Sequence, residues 1–125
     1  MAKAQLKILF NTMAGNRFGS GHICRCLNLA NAMKKINDSG ILFVTSQTGQ
    51  EIIDGQFSSQ VVSEKSSYEI LRSIFEDFKP DIIVYDIVDV EEEYIAKTAL
   101  KDALKVVFDY YHLNTRLKSA DIVFN

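Results

Sequence analysis

The stretch Asp81-Ile-Ile-Val-Tyr-Asp86 constrains the fold more than any other part of the chain. A near-continuous apolar centre between polar ends is what a β-strand shows when both its faces are covered, as in the middle of a parallel sheet. Parallel neighbours need crossover connections, and the rest of the chain supplies them. A first apolar run, Leu6 to Phe10, is followed by a loop holding Gly15, Gly19 and Gly21, and then by a helix-period segment from His22 to about Asn37. On that helix Cys26, Leu29, Met33 and Ile36 form one stripe, with Asn28, Asn31 and Lys35 opposite, and Gly40 suits the turn that follows.

Further strands are expected at Ile41 to Thr45 and Gln60 to Ser63, with a weak helix around Glu51 to Asp54 between them. Ser66-Ser67-Tyr68-Glu69 reads as a capping box that opens a helix with Ile70, Leu71, Ile74, Phe75 and Phe78 inside, ended by Pro80. A helix from about Glu91 to Leu104, with Glu91-Glu92-Glu93 as a favourable acidic first turn, leads to a strand at Lys105 to Asp109. The chain closes on Asp121-Ile-Val-Phe-Asn125. The expected fold class is therefore α/β: an open, parallel, Rossmann-like sheet with helices on both faces. With 125 residues and 47% hydrophobic composition, a single domain over residues 1–125 is the expectation.

Charge and composition exclude some functions. A formal charge of −2 without a basic run gives no footprint for a nucleic-acid backbone, so no nucleic-acid partner is expected. The first residues enter a strand-like run without the apolar core of a signal peptide, and no stretch of about 18 apolar residues exists, so a cytoplasmic chain with no membrane span is expected. Cys24 and Cys26 point about 200° apart on a helix, which fits two thiols in or beside a core better than a disulfide or zinc knuckle.

In open α/β sheets ligands bind beyond the carboxyl ends of the strands. That rim collects Asn11 to His22, Thr45 to Gly49, Asp86 to Asp89 and Asp109 to His112. The glycine loop lacks the lysine of a phosphate-binding P-loop, and Cys24 occupies the third position of a dinucleotide fingerprint. Thr45 and Ser46 stand where such a domain needs a ribose-binding acid. Two readings of the loop remain: backbone N–H groups presented to an anion at a helix N-terminus, or a plain turn. His22 lies in the first helical turn, one turn before Arg25, where the helix dipole and the guanidinium disfavour the cationic ring. A neutral imidazole there can act as general base on a water or sugar hydroxyl, or it can simply hydrogen-bond the loop. Asp86 and Asp109 can orient a sugar hydroxyl or the imidazole, or cap local structure; His112 has no evident partner.

The segment Gly19-Ser-Gly-His-Ile-Cys-Arg-Cys-Leu-Asn-Leu-Ala30 resembles the G-x-G-H-x-x-R-C-L-x-L-A signature of the UDP-sugar hydrolases of the pseudaminic acid pathway and the related spore-coat polysaccharide biosynthesis proteins. Pro80 to Asp86 looks like that family's strand ending in aspartate, and Val107-Phe-Asp109 like its later acidic strand end. The resemblance implies the N-terminal half of a two-domain glycosyltransferase-B fold, with a UDP-sugar substrate and a C-terminal domain or second subunit as partner. It implies His22 as the base and Asp86 as a substrate-orienting catalytic carboxylate, with Gly19, Ser20, Gly21, Arg25, Asp109 and Tyr110 as substrate-binding positions. It implies no cofactor and no metal. Three positions depart from the family. Asn11 and Met13 stand where an arginine and an aspartate are common after the first strand, and Tyr110 replaces a second aspartate. A non-catalytic sugar-recognition or assembly domain is the competing expectation.

Overall fold

The computed structural model describes residues 5–16, 18–36, 39–108 and 117–124. The elements run β1 (Lys7–Thr12), α1 (Gly21–Ile36), β2 (Gly40–Thr45), α2 (Gln47–Ile53), β3 (Ser58–Val61), α3 (Tyr68–Phe78), β4 (Ile82–Asp86), α4 (Glu92–Thr98), β5 (Leu104–Phe108) and β6 (Ile122–Phe124). All six strands pair in parallel, in the order β3-β2-β1-β4-β5-β6. The α/β class and the parallel Rossmann-like sheet are as the sequence indicates, and β4 is central, beside β1.

Alternate residues of the strands feed two separate cores. Ile8, Phe10, Ile41, Phe43 and Val84 meet α1 and α2 through Ile23, Cys26, Leu27, Ala30 and Ile53. Leu9, Leu42, Val44, Ile83, Tyr85 and Val107 meet α3 and α4 through Leu71, Phe75 and Ile95. The chain moves outward from β1 to β3, then restarts at β4 on the other side of β1. Crossovers of constant hand must then change faces, and this puts the switch point between β1 and β4.

Several boundaries differ from expectation. β1 continues through Asn11 and Thr12, because both residues are fully buried, Asn11 paired with Val44 of β2 and Tyr85 of β4 and Thr12 with Asp86 of β4. The buried face of α1 is Ile23, Cys26, Leu27 and Ala30, about 90° around the helix from the expected stripe at 100° per residue. Leu29 and Met33 fill its flank half-buried, and Ile36 is 76% exposed. The small Cys26 and Ala30 let α1 lie close to the sheet, which the bulkier stripe would not. α2 starts earlier than expected, at a cap made by Ser46, and β3 is shifted two residues toward the N-terminus.

The cap of α3 is Ser67, which accepts from Ile70 N, while Ser66 accepts from Ser63 N; the expected box is therefore replaced by two separate serine contacts. Lys79, in the left-handed region at φ 56, closes α3 before Pro80. α4 is much shorter than expected and stops at Thr98, whose hydroxyl bonds back to Tyr94 O (2.7 Å) and to Tyr85 OH (2.9 Å). Pinned in the core this way, the chain turns extended at Ala99 rather than continuing as helix.

Ser46 also ties the rim together. Its hydroxyl accepts from Gly49 N (3.2 Å) and Ala14 N (3.1 Å) and donates to Ala14 O (2.8 Å), so the β1–α1 loop is fastened to the start of α2. Gly49 is required there, since a Cβ would overlap Thr45 Oγ1, whereas a Cβ on Gly21 would meet nothing within 4 Å. Gly49→Ala is expected to cost about 1–3 kcal/mol through overpacking. Gly21→Ala is expected to stay within about 0.5 kcal/mol. Urea denaturation of the two variants checks the contrast.

Candidate functional site

The switch point carries a four-residue polar cluster. Thr12 and Asp86 are register partners at the ends of β1 and β4, and Asp86 points to the same face as Val84, toward α1. Its carboxylate is completely buried. A carboxylate so placed must be matched by donors, and α1 provides them from a single face of its first two turns. His22 Nδ1 lies 2.5 Å from Asp86 Oδ1. Arg25 forms a fork, Nε to Oδ2 at 2.8 Å and Nη2 to Oδ1 at 2.6 Å. Cys26 Sγ donates to Oδ2 at 3.6 Å. The residue spacing, 22, 25 and 26, is the i, i+3, i+4 pattern that brings side chains to one point. The Arg25 guanidinium also lies 4.5 Å from the centre of the Phe108 ring on β5.

An ionised carboxylate only accepts, so Nδ1 is the donor of this pair, and the neutral tautomer that fits it has Nε2 as its acceptor. The sequence expectation weighed only the helix dipole and Arg25 against His22; the structure adds a carboxylate in direct contact. Burial pushes the Cys26 thiol well above its ordinary range, and the Asp86 charge adds to the effect, so Cys26 is a neutral S–H donor.

The glycine loop is a tight, self-bonded turn. Gly15 and Gly19 form an antiparallel bridge, with Gly15 N to Gly19 O at 3.0 Å and Gly19 N to Gly15 O at 3.3 Å. Both glycines have positive φ, at 98° and 67°, a region glycine occupies without strain. Their N–H groups are thus spent inside the loop, and the exposed Ser20 and Gly21 carry the chain into α1, where Cys24 N bonds Ser20 O at 3.1 Å.

His22, Arg25 and Asp86 are brought together, with Gly19 and Ser20 on the adjoining loop and Gly21 opening α1. Asp109, Tyr110 and His112 lie outside the described residues. Asn11 sits within β1, donating to Val44 O at 3.1 Å and accepting from Tyr94 OH at 2.6 Å. It belongs to the second core and cannot reach the cluster on the α1 face. Burial pushes the Tyr94 and Tyr85 phenols up, so both remain neutral donors.

On the α3/α4 side, a cavity of about 500 Å³ is lined by Met13, Phe18, Tyr68, Leu71, Val90 and Tyr94, among others. A second, of about 530 Å³, shares Met13, Phe18 and Val62 with it and runs toward Thr48. Neither is lined by His22, Arg25 or Asp86. The crevice and the cluster therefore occupy opposite faces of the same carboxyl edge. Sequence reasoning missed Tyr68 and Tyr94, whose rings meet edge to face 5.8 Å apart, because aromatic residues at helical spacing look like ordinary core. It also missed the Cys26 contact, for which the i+4 spacing from His22 was the available signal.

No family model matches the chain. It is similar to a protein of Methanocaldococcus jannaschii named Uncharacterized protein MJ1062, with 30% identity over 122 residues. The match takes in 96% of this chain and 25% of that protein, so the chain spans about a quarter of the length of its relative. Among the described residues, no group of three or more His, Cys, Asp and Glu side chains could hold a metal ion, and no helix is long and apolar enough to cross a membrane.

Burial separates the two thiols: Cys24 is exposed and Cys26 buried. Ellman's reagent is expected to titrate one thiol per native chain at pH 8 and the second only in denaturant. Rapid reaction of both in the native protein would contradict the placement of Cys26 against Asp86.

Proposed function

We propose that this chain is the sugar-facing part of a nucleotide-sugar hydrolase or glycosyltransferase acting on UDP-linked amino sugars in surface-polysaccharide biosynthesis, with His22 as general base. The observation that carries the reading is the 2.5 Å contact between His22 Nδ1 and the buried Asp86 carboxylate, at the carboxyl ends of the paired strands β1 and β4. In this arrangement Nε2 removes a proton from water or a sugar hydroxyl as its oxygen bonds to the anomeric carbon of the nucleotide sugar and the bond from that carbon to the UDP oxygen breaks, UDP departing with the electron pair. Asp86 holds the ring in the required tautomer and stabilises the imidazolium that forms. Asp86 thus acts through His22, its oxygens being occupied by donors from α1.

The resemblance of Gly19 to Ala30 to the UDP-sugar hydrolase signature supports the substrate class, and the relative's greater length supports a further domain or subunit that holds the nucleotide. A second reading has an observation in its favour. The Arg25 fork on Asp86 is also a strong tie between α1 and β4, as a non-catalytic sugar-recognition or assembly domain would use.

The test is turnover of UDP-linked amino sugars by this chain, mixed with or joined to a candidate nucleotide-binding half. His22→Ala is expected to lower kcat by about 10²- to 10⁴-fold with little change in KM, the usual contribution of a general base. Nucleotide-sugar binding that survives His22→Ala, without turnover by either protein, would support the recognition reading. Absence of both binding and turnover would reject the enzyme reading.

A further inference from the structure

Asp86 can orient His22 only if the carboxylate is itself fixed, and β4 fixes its backbone alone. A carboxylate free to turn about its last side-chain bond would offer either oxygen, in any plane, to the ring. Two observations bear on this. The Arg25 fork takes one position on each oxygen, which sets the carboxylate plane, and the Cys26 thiol adds a second donor on Oδ2. Among the described residues, the other side chain that bonds to Oδ1 is His22, through Nδ1. The guanidinium is in turn held over the Phe108 ring, so its orientation comes from β5 as well as α1. A flexible ammonium on the same backbone would provide a charge but no fork.

We propose that Arg25 is a positioning residue: its bidentate grip on Asp86, rather than a contact with substrate, sets the tautomer of His22. The inference rests on the proposed role of His22 for its catalytic meaning, but its geometry stands independently. It also reassigns Arg25 from the substrate-binding role that the family resemblance implies. Among the described residues, the ring contacts Asp86 of β4, and Arg25 and Cys26 of α1 bond to the same carboxylate.

The experiment is ¹⁵N NMR of the imidazole nitrogens in the full chain at alkaline pH. The sequence has two histidines, so His112→Gln leaves a single ring to observe. In that background the Nδ1–H form is expected to dominate. Arg25→Gln and Arg25→Lys are each expected to lower the ratio of Nδ1–H to Nε2–H several-fold. Gln abolishes both charge and fork; Lys keeps the charge and loses the fork. A merely structural role would lower the melting temperature and leave the tautomer ratio unchanged, and an unchanged ratio in folded Arg25→Lys overturns the proposal even if Arg25→Gln does not fold. Because the readout needs no substrate, its outcome is separate from that of the enzyme reading. A tautomer shift in a chain that turns over no nucleotide sugar would uphold the positioning role and reject only the proposed activity.

Discussion

The structure turns on one buried carboxylate. Asp86 ends a central strand, with no exposure to solvent, and an unmatched charge in that position would cost several kcal/mol. Among the described residues, the donors that match it come from the first two turns of α1, so the register of α1 on the sheet and the solvation of Asp86 are one constraint. This accounts for the orientation of the helix. Its centre, Cys26 and Ala30, is small enough for close approach, and its flank carries His22 and Arg25 toward β4. The Phe108 ring extends the constraint to β5 by stacking against the guanidinium.

Around that point the carboxyl edge of the sheet is fastened by side chains rather than by the sheet ladder. Ser46 joins the β1–α1 loop to α2, and Asn11 joins β1 to β2 and α4 through Val44 and Tyr94. Glu92, in the acidic first turn of α4, accepts from Ser119 N and Oγ and so positions the approach to β6. These links surround the switch point and divide its two sides. The histidine cluster lies on the α1 face, and an aromatic crevice lies on the α3/α4 face. The division follows from strand alternation: Thr12 and Asp86 point one way, Asn11, Met13 and Tyr85 the other.

Much of the fold was legible because it is written in local periods. The apolar run of β4 indicated a covered, central strand, and the glycine loop followed by a helix-period segment indicated the first crossover. Errors arose where tertiary contacts decide. The stripe expected on α1 ran through Ile36, which the structure leaves in solvent, because helical periodicity shows that a face exists but not which of two overlapping faces meets the sheet. α4 was overestimated because the pin that stops it, Thr98 on Tyr85, joins residues from different elements. Asn11 looked like a loop residue after the first strand. Its burial depends on Val44 and Tyr94, which are distant in sequence.

For the site, the sequence by itself determined the candidates: a histidine, an arginine and a cysteine at helical spacing, and an aspartate at the end of a buried strand. It could do so because side-chain spacing on a helix and strand ends on a parallel sheet are properties of local geometry. Only the tertiary structure decided that the four meet, since Asp86 is more than sixty residues from each of His22 and Arg25 and about as far from Cys26. It also decided their division of labour. A buried carboxylate must gather its donors, and that requirement set Arg25 on Asp86 and turned Nδ1 of His22 toward the same carboxylate.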